Sequence, residues 1–191
     1  EDILGTFLTK LARAQISDDD SSEVSKLLKV IGDLERISDH SVNVLESAEE
    51  MKEKKILFSA GAKEEMKVLC SALSEILELT MDALRRNDWE VATSVEPLEQ
   101  VIDHIKSILR NRHIARQKKG ECSVEAGFIW SDLLTNLERT SDHCSNIAVS
   151  IIDAHEHNMN AHEAMRSMKK GNPAFLERLD DYSRKYQLPQ Q

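Results

Sequence analysis

Residues 34–43 read LERISDHSVN, and residues 137–146, at an offset of 103, read LERTSDHCSN. Each copy spaces a Glu, an Asp and an Asn four residues apart. Side chains at this spacing lie on one side of an α-helix. The chain is therefore predicted to contain a repeat, with two helices that each carry a line of oxygen-bearing side chains. These lines are Glu35, Asp39 and Asn43 in the first copy, and Glu138, Asp142 and Asn146 in the second.

The composition favours helices and excludes several classes of function. Charged residues make up 31% of the 191 residues and aromatic residues 4%, with 6 Gly and 3 Pro, which predicts long helices rather than sheets. A net charge of −9 argues against a nucleic-acid partner. The three cysteines lie far apart, which predicts free thiols and a cytoplasmic setting. No apolar run approaches the roughly 18 residues that cross a bilayer, so we expect no membrane insertion of this segment.

Capping and turn residues divide the chain into helices. The predicted helices cover about 1–15, about 62–86, about 88–118 and about 123–157, together with a second helix that begins at Ser21 or Ser22 and ends near residue 55. Pro97 predicts a kink or break in the helix over 88–118. A last helix is predicted to start at Pro173.

Both motif helices carry a heptad-like apolar stripe with small residues at mid-helix, which is typical of helices packed in antiparallel bundles. The stripes are Leu27, Ile31, Leu34, Ser38, Ser41, Leu45 and Ala48, and Trp130, Leu134, Leu137, Ser141, Cys144, Ala148 and Ile151. We therefore predict an all-α fold of tandem three-helix bundles. The predicted units are a partial first repeat over 1–57, a complete second repeat over 58–158 and a C-terminal helical tail over 159–191. The first bundle is expected to be truncated at its N-terminus, because it lacks a counterpart of the helix over 62–86.

The acidic lines indicate a cation site. Two carboxylates four residues apart on a helix repel each other, and such oxygen atoms are the ligands that hard or borderline cations prefer. One helix cannot supply ligands from several directions, but the helix over 88–118 offers Glu96, Glu99 and Asp103. Antiparallel packing would place these three acids opposite Glu138 and Asp142.

Other interpretations of the acids stay open. They could form a solvated face paired with Arg36 and Arg139, or a metal-free scaffold that binds a basic partner surface. A carboxylate-bridged metal enzyme is disfavoured, because neither motif helix carries the Glu-x-x-His pair of that class. His40, His104 and His143 follow the Asp residues by one position and are expected to face a partner helix or solvent.

The segments LERISDHSVNV and LERTSDHCSNI closely resemble the repeated motif of PhoU proteins, and the resemblance covers most of 1–157. Residues 112–148 and the YSRKYQL stretch at 182–188 are similar to the cytoplasmic PhoU-like domain of bacterial sodium/phosphate cotransporter-family proteins. Ser38 and Ser141 stand where the family often has Gly, and Thr140 stands where Ile is usual.

The resemblance implies two three-helix bundles whose motifs bind iron or zinc clusters. It assigns Glu35, Asp39 and Asn43 to one site, and Glu138, Asp142 and Asn146 to the other, with Glu96, Glu99 and Asp103 as companions. We expect a non-enzymatic regulatory domain at the cytoplasmic face of the inner membrane that modulates phosphate uptake. Its expected partner is a transmembrane transporter domain upstream in the same chain, or other phosphate-transport components, and it could form a homodimer. A free-standing phosphate-uptake regulator is the alternative within the family.

Overall fold

A computed structural model describes residues 2–156 and 172–190, which fold into α-helices without any β-strand. The all-α prediction is confirmed for these residues. None of their helices has the length and apolar character needed to span a bilayer. The helices are α1 (Asp2–Ala12), α2 (Asp18–Glu53), α3 (Ala60–Arg86), α4 (Trp89–Ala92), α5 (Val95–Lys118), α6 (Val124–Glu156) and α7 (Pro173–Lys185).

The second helix begins earlier than predicted. Ser17 is its N-cap, and the Ser17 hydroxyl oxygen accepts a hydrogen bond from the backbone N–H of Asp20 at 3.1 Å. The prediction of Ser21 or Ser22 as the cap was therefore wrong. Residues 18–20 are all Asp, and acids in the first turn are stabilised by the positive end of the helix dipole.

The predicted interruption near Pro97 is present, but it lies a few residues before the proline. The α-helix is interrupted at Thr93 and Ser94, between α4 and α5, and Pro97 is the third residue of α5. Backbone N–H groups in the first turn of a helix have no partner within the helix, so proline is tolerated there. The predicted start of the last helix at Pro173 is confirmed, with Asn172 as its N-cap.

The apolar stripe of α6 forms the centre of the molecule. All seven of its predicted residues are buried, and α3 and α5 pack against this helix. Ser141 and Cys144 are completely buried in the middle of the stripe, where small side chains let α3 and α5 approach closely. The predicted bundle of α3, α5 and α6 is thus observed.

The predicted stripe of α2 was wrong in its second half, because Ser38, Ser41, Leu45 and Ala48 are exposed. In its first half, Leu27, Ile31 and Leu34 are half-buried, and Leu34 packs against the core. Instead, α2 buries an adjacent face, which includes Val30, His40 and Ser47. The reason is that α2 packs mainly against α6 and, less extensively, against α1, so the face turned toward α6 is the one that is covered.

Helix α7 covers the outer side of the second repeat. Phe175 and Tyr186 are buried at its two ends, and the Arg178 Nη1 atom donates to the Thr93 hydroxyl at 2.5 Å. The Lys185 Nζ atom lies 2.7 Å from the Glu75 carboxylate on α3. Residues 157–171, at the boundary between the predicted second repeat and the predicted tail, lie outside the described residues.

The repeat supplies a matched pair of substitutions that tests this packing. Ser141→Leu is expected to lower the free energy of unfolding by about 1–3 kcal/mol, because the larger side chain has no space between α6 and its neighbours. Ser38→Leu, at the equivalent exposed position of α2, should change it by no more than about 0.5 kcal/mol. Urea unfolding at neutral pH measures both. Equal losses in the two variants would contradict the assignment of the buried stripe.

Candidate functional site

The acids of α5 face α6 across a groove, as the predicted antiparallel packing requires. The Ser145 hydroxyl of α6 donates to a Glu96 carboxylate oxygen at 2.5 Å. Asp103 lies two turns after Glu96 on α5 and is exposed. Glu99, between Glu96 and Asp103, is half-buried. Glu96 thus contacts α6, and Asp103 lies near enough to act on the Asp142 carboxyl. We call the surface between α5 and α6 that carries Glu96, Asp103, Glu138 and Asp142 the acidic groove.

A lysine lies inside this acidic groove. The Lys106 Nζ atom is 2.5 Å from Glu138 Oε1 and 3.9 Å from Asp103 Oδ1. Within the described residues, no three Asp, Glu, His or Cys side chains are placed so that they could hold a metal ion together. The positive charge expected from a metal is thus supplied, at least at Glu138, by the side chain of Lys106. Lys106 was not among the predicted site residues, although its position three residues after Asp103 places it on the same side of α5.

The electrostatics of the groove are visible at Asp142. Partial burial and the neighbouring Glu138 carboxylate raise the pKa of Asp142, and Asp103 adds a smaller contribution. Lys106 and His143 act in the opposite direction. Three carboxylates, those of Asp103, Glu138 and Asp142, thus lie around one lysine ammonium, so a further positive charge would be favourable there.

The first acidic line has different surroundings. Glu35 and Asp39 are exposed on α2, and the Arg36 Nη1 atom lies 3.6 Å from Asp39 Oδ2. Exposed pairs of this kind contribute little, about 0–1 kcal/mol. At the offset of 103, the position equivalent to Lys106 is Ile3. The two copies of the motif thus share their acids but not the groove that surrounds them.

The two asparagines of the motif point away from the acids of their own line. Asn43 donates to Asn136 Oδ1 at 3.0 Å, and Asn146 donates to Asp33 Oδ1 at 3.2 Å. Both bonds cross between α2 and α6, and positions 33 and 136 are themselves equivalent in the repeat. In the described arrangement the structure does not bring Asn146 together with Glu138 and Asp142 as one set of ligands.

The motif histidines complete this cross-helix contact. His40 Nδ1 lies 3.0 Å from Asn136 Oδ1, and His143 Nδ1 lies 2.8 Å from Asp33 Oδ1, so each ring donates when its Nδ1 carries the proton. The two imidazole rings stack with centroids 5.5 Å apart. His40 and His143 thus face a partner helix, and His104 is exposed.

Replacing Asp142 tests the electrostatics of the groove. Because the folded state disfavours the ionised carboxylate, Asp142→Asn should raise the free energy of unfolding at neutral pH by about 0.2–0.5 kcal/mol. This gain should disappear as the pH falls through the acidic range, where Asp142 is protonated in the folded wild type. Asp39→Asn, at the exposed equivalent position, is the control and should give no gain. Chemical unfolding across pH measures the difference, and a gain that persists at low pH would contradict the assignment.

Comparisons with known proteins agree with this architecture. The structure superposes on the crystal structure of PhoU from Pseudomonas aeruginosa with a TM-score of 0.70 and 23% sequence identity, covering 82% of this chain and 78% of that one. At this level of identity the match establishes the fold. A PhoU homologue of Thermotoga maritima, described as an accessory protein of a phosphate-specific transport system, is 29% identical over 149 residues. That alignment covers 76% of this chain and 62% of the relative's length.

A sequence profile of the PhoU domain matches residues 1–48 and 67–151, which together include both copies of the motif. The matched segments contain α1, α4 and α5 and most of α2, α3 and α6. Since they span more than half of the sequence, and the fold matches a PhoU crystal structure, the chain belongs to the PhoU family.

Proposed function

We propose that this chain is a non-enzymatic regulatory domain that modulates phosphate uptake at the cytoplasmic face of the cell membrane. The observation that carries the proposal is the PhoU profile match across both repeats. The Thermotoga maritima relative is named as an accessory protein of a phosphate-specific transport system, which supports a role in phosphate transport. The chain aligns with 62% of that relative's length, so its own partners belong to the proposal.

We infer that the target is a sodium-dependent phosphate transporter that carries this domain in the same chain. The resemblance of residues 112–148 and 182–188 to the cytoplasmic domains of such transporters supports this choice. A free-standing regulator acting on separate phosphate-transport components is the alternative within the same family.

Metal binding in the acidic groove is part of the proposal. A cation already lies against Glu138, in the form of the Lys106 ammonium, and the carboxylates of Glu138, Asp142 and Asp103 outnumber that single charge, so more positive charge is favourable. Glu138 and Asp142 would hold a metal ion from α6, with Asp103 and Glu99 contributing from α5, after their side chains rotate out of the described arrangement, in which no three of them could hold an ion together. Oxygen ligands leave several hard or borderline cations open, and the family resemblance points to iron or zinc. A bound ion would cross-link the two helices.

In this proposal Lys106 controls access to the groove. While the Lys106 ammonium contacts Glu138, it partly neutralises the acids and joins α5 to α6. When the lysine side chain turns outward, Glu138 and Asp142 repel each other and require another cation. The change in the α5–α6 contact is what a transporter bound to this face would detect.

A metal-free scaffold is the second candidate, and the contact between Lys106 and Glu138 is the observation that favours it. In that case the internal ion pair permanently replaces a metal in the second repeat. The acids that are exposed on the first repeat, Glu35 and Asp39, would then form part of the surface that contacts a basic partner.

Substitution of Lys106 separates the two candidates. Lys106→Met removes the competing ammonium and should increase the zinc or iron bound per chain, as measured by equilibrium dialysis and elemental analysis. Glu138→Gln combined with Asp142→Asn should reduce bound metal strongly. Lys67→Met, which removes an exposed ion pair with Glu64 on α3, is the control and should leave metal binding unchanged. Equal metal content in the wild type, Lys106→Met and the double variant would exclude the metal proposal and favour the scaffold.

The regulatory proposal is tested in cells that lack their own PhoU-type regulator. Expression of the sodium-dependent transporter together with this domain should change the rate of radiolabelled phosphate uptake between phosphate-rich and phosphate-starved growth. The transporter expressed without the domain is the control. If uptake responds to phosphate supply in the same way with and without the domain, the proposed function is wrong.

A further inference from the structure

Four chain segments meet at the end of the bundle opposite to the start of α2. The Phe58 ring, between α2 and α3, packs edge-on against Trp130 of α6 with centroids 4.9 Å apart. The Arg112 Nη1 atom near the end of α5 lies 3.0 Å from Glu65 in the second turn of α3. The last residues of α2 and α5 and the first residues of α3 and α6 therefore form one surface, which is separate from the acidic groove.

Three large apolar side chains project from this surface. Leu57 is 81% exposed, Val124 is 67% exposed and Phe128 is 68% exposed. Val124 and Phe128 lie one turn apart on the same side of α6, and Leu57 adjoins Phe58, whose ring is held against α6. Isolated exposed apolar residues are ordinary, but three together at the end of a bundle indicate a contact surface. We call Leu57, Val124 and Phe128 the apolar tip.

The segments around the apolar tip are basic, although the whole chain carries a net charge of −9. Residues 49–65 and 110–128 contain nine Lys or Arg and seven Glu, a net charge of +2. At the opposite end of the bundle, residues 17–26, 82–96 and 150–156 contain ten acids, two Arg and one Lys, a net charge of −7. The charge is therefore separated along the bundle axis, and the exposed lysines next to the tip include Lys52, Lys55, Lys118 and Lys119.

We propose that this end of the bundle docks on an anionic lipid surface, with the apolar tip entering the headgroup region. Apolar side chains surrounded by lysines are typical of surfaces that bind the membrane interface. A basic side chain near an anionic leaflet is attracted within about a Debye length, whereas the acidic end is repelled, so the charge separation also orients the molecule. A projecting tip suits a soft headgroup layer better than a protein partner, which would bind a groove or a flat helical face. The proposal does not depend on the regulatory function or on metal binding.

Vesicle flotation of the full 191-residue chain tests the proposal. We expect binding to vesicles that contain phosphatidylglycerol, weak binding to pure phosphatidylcholine vesicles, and a loss of binding as salt is raised. Leu57→Ser combined with Phe128→Ser should weaken binding about tenfold or more, since apolar insertion supplies part of the attraction. Lys55→Gln combined with Lys118→Gln and Lys119→Gln should weaken binding by a similar factor through the lost charge.

Leu45→Ser is the matched control, because Leu45 is also largely exposed but lies on the side of α2, away from the tip. It should leave vesicle binding unchanged, and circular dichroism should give the same helix content for every variant. Absence of wild-type binding to anionic vesicles would overturn the proposal. Equal vesicle binding by the wild type and by the Leu57→Ser, Phe128→Ser variant would also overturn it. Salt-sensitive binding to an acidic protein surface, without binding to vesicles, would overturn it as well.

Discussion

At the middle of the contact between α2 and α6, Asp33 accepts hydrogen bonds from His143 and Asn146, and Asn136 accepts the equivalent pair from α2. The two motif histidines stack between them. His40 is buried, Asp33, Asn136 and His143 are half-buried, and Asn43 and Asn146 are exposed. A buried or half-buried polar side chain is costly to leave without a partner, so this set of bonds favours one register and rotation of α2 against α6. It also holds the two repeats in a symmetric arrangement, because every donor and acceptor has its equivalent in the other copy.

The position of the candidate site follows from this contact. With α2 on one side of α6 and α5 on the other, the motif divides between two surfaces. Its His and Asn side chains turn toward α2, while Glu138 and Asp142 turn toward α5. The cation exchange proposed for the acidic groove would therefore leave the bonds that join the repeats intact. The same arrangement leaves the apolar tip and its lysines at one end of the bundle, away from the acids.

The fold was largely predictable because it depends on local patterns. The stripe of α6, the break before Pro97 and the start of α7 at Pro173 follow from helical spacing and from the backbone limits of proline. The buried face of α2 was not predictable in the same way, since α2 offers two possible stripes and the position of α6 decides between them. The acids of the candidate site were identified from their spacing, but their contacts were not. The contact of Lys106 with Glu138, and that of Asn146 with Asp33, join residues far apart in sequence, and no local spacing indicates them.

A double-mutant cycle between Asp33 and His143 tests the central contact most directly. The free energies of unfolding of the wild type, Asp33→Ala, His143→Ala and the double variant are measured by urea denaturation. If the hydrogen bond joins α2 to α6 as described, the two substitutions should show a coupling energy of at least about 0.5 kcal/mol. Additive effects, with a coupling below about 0.3 kcal/mol, would show that the two side chains do not interact and would contradict this account of how the repeats are joined.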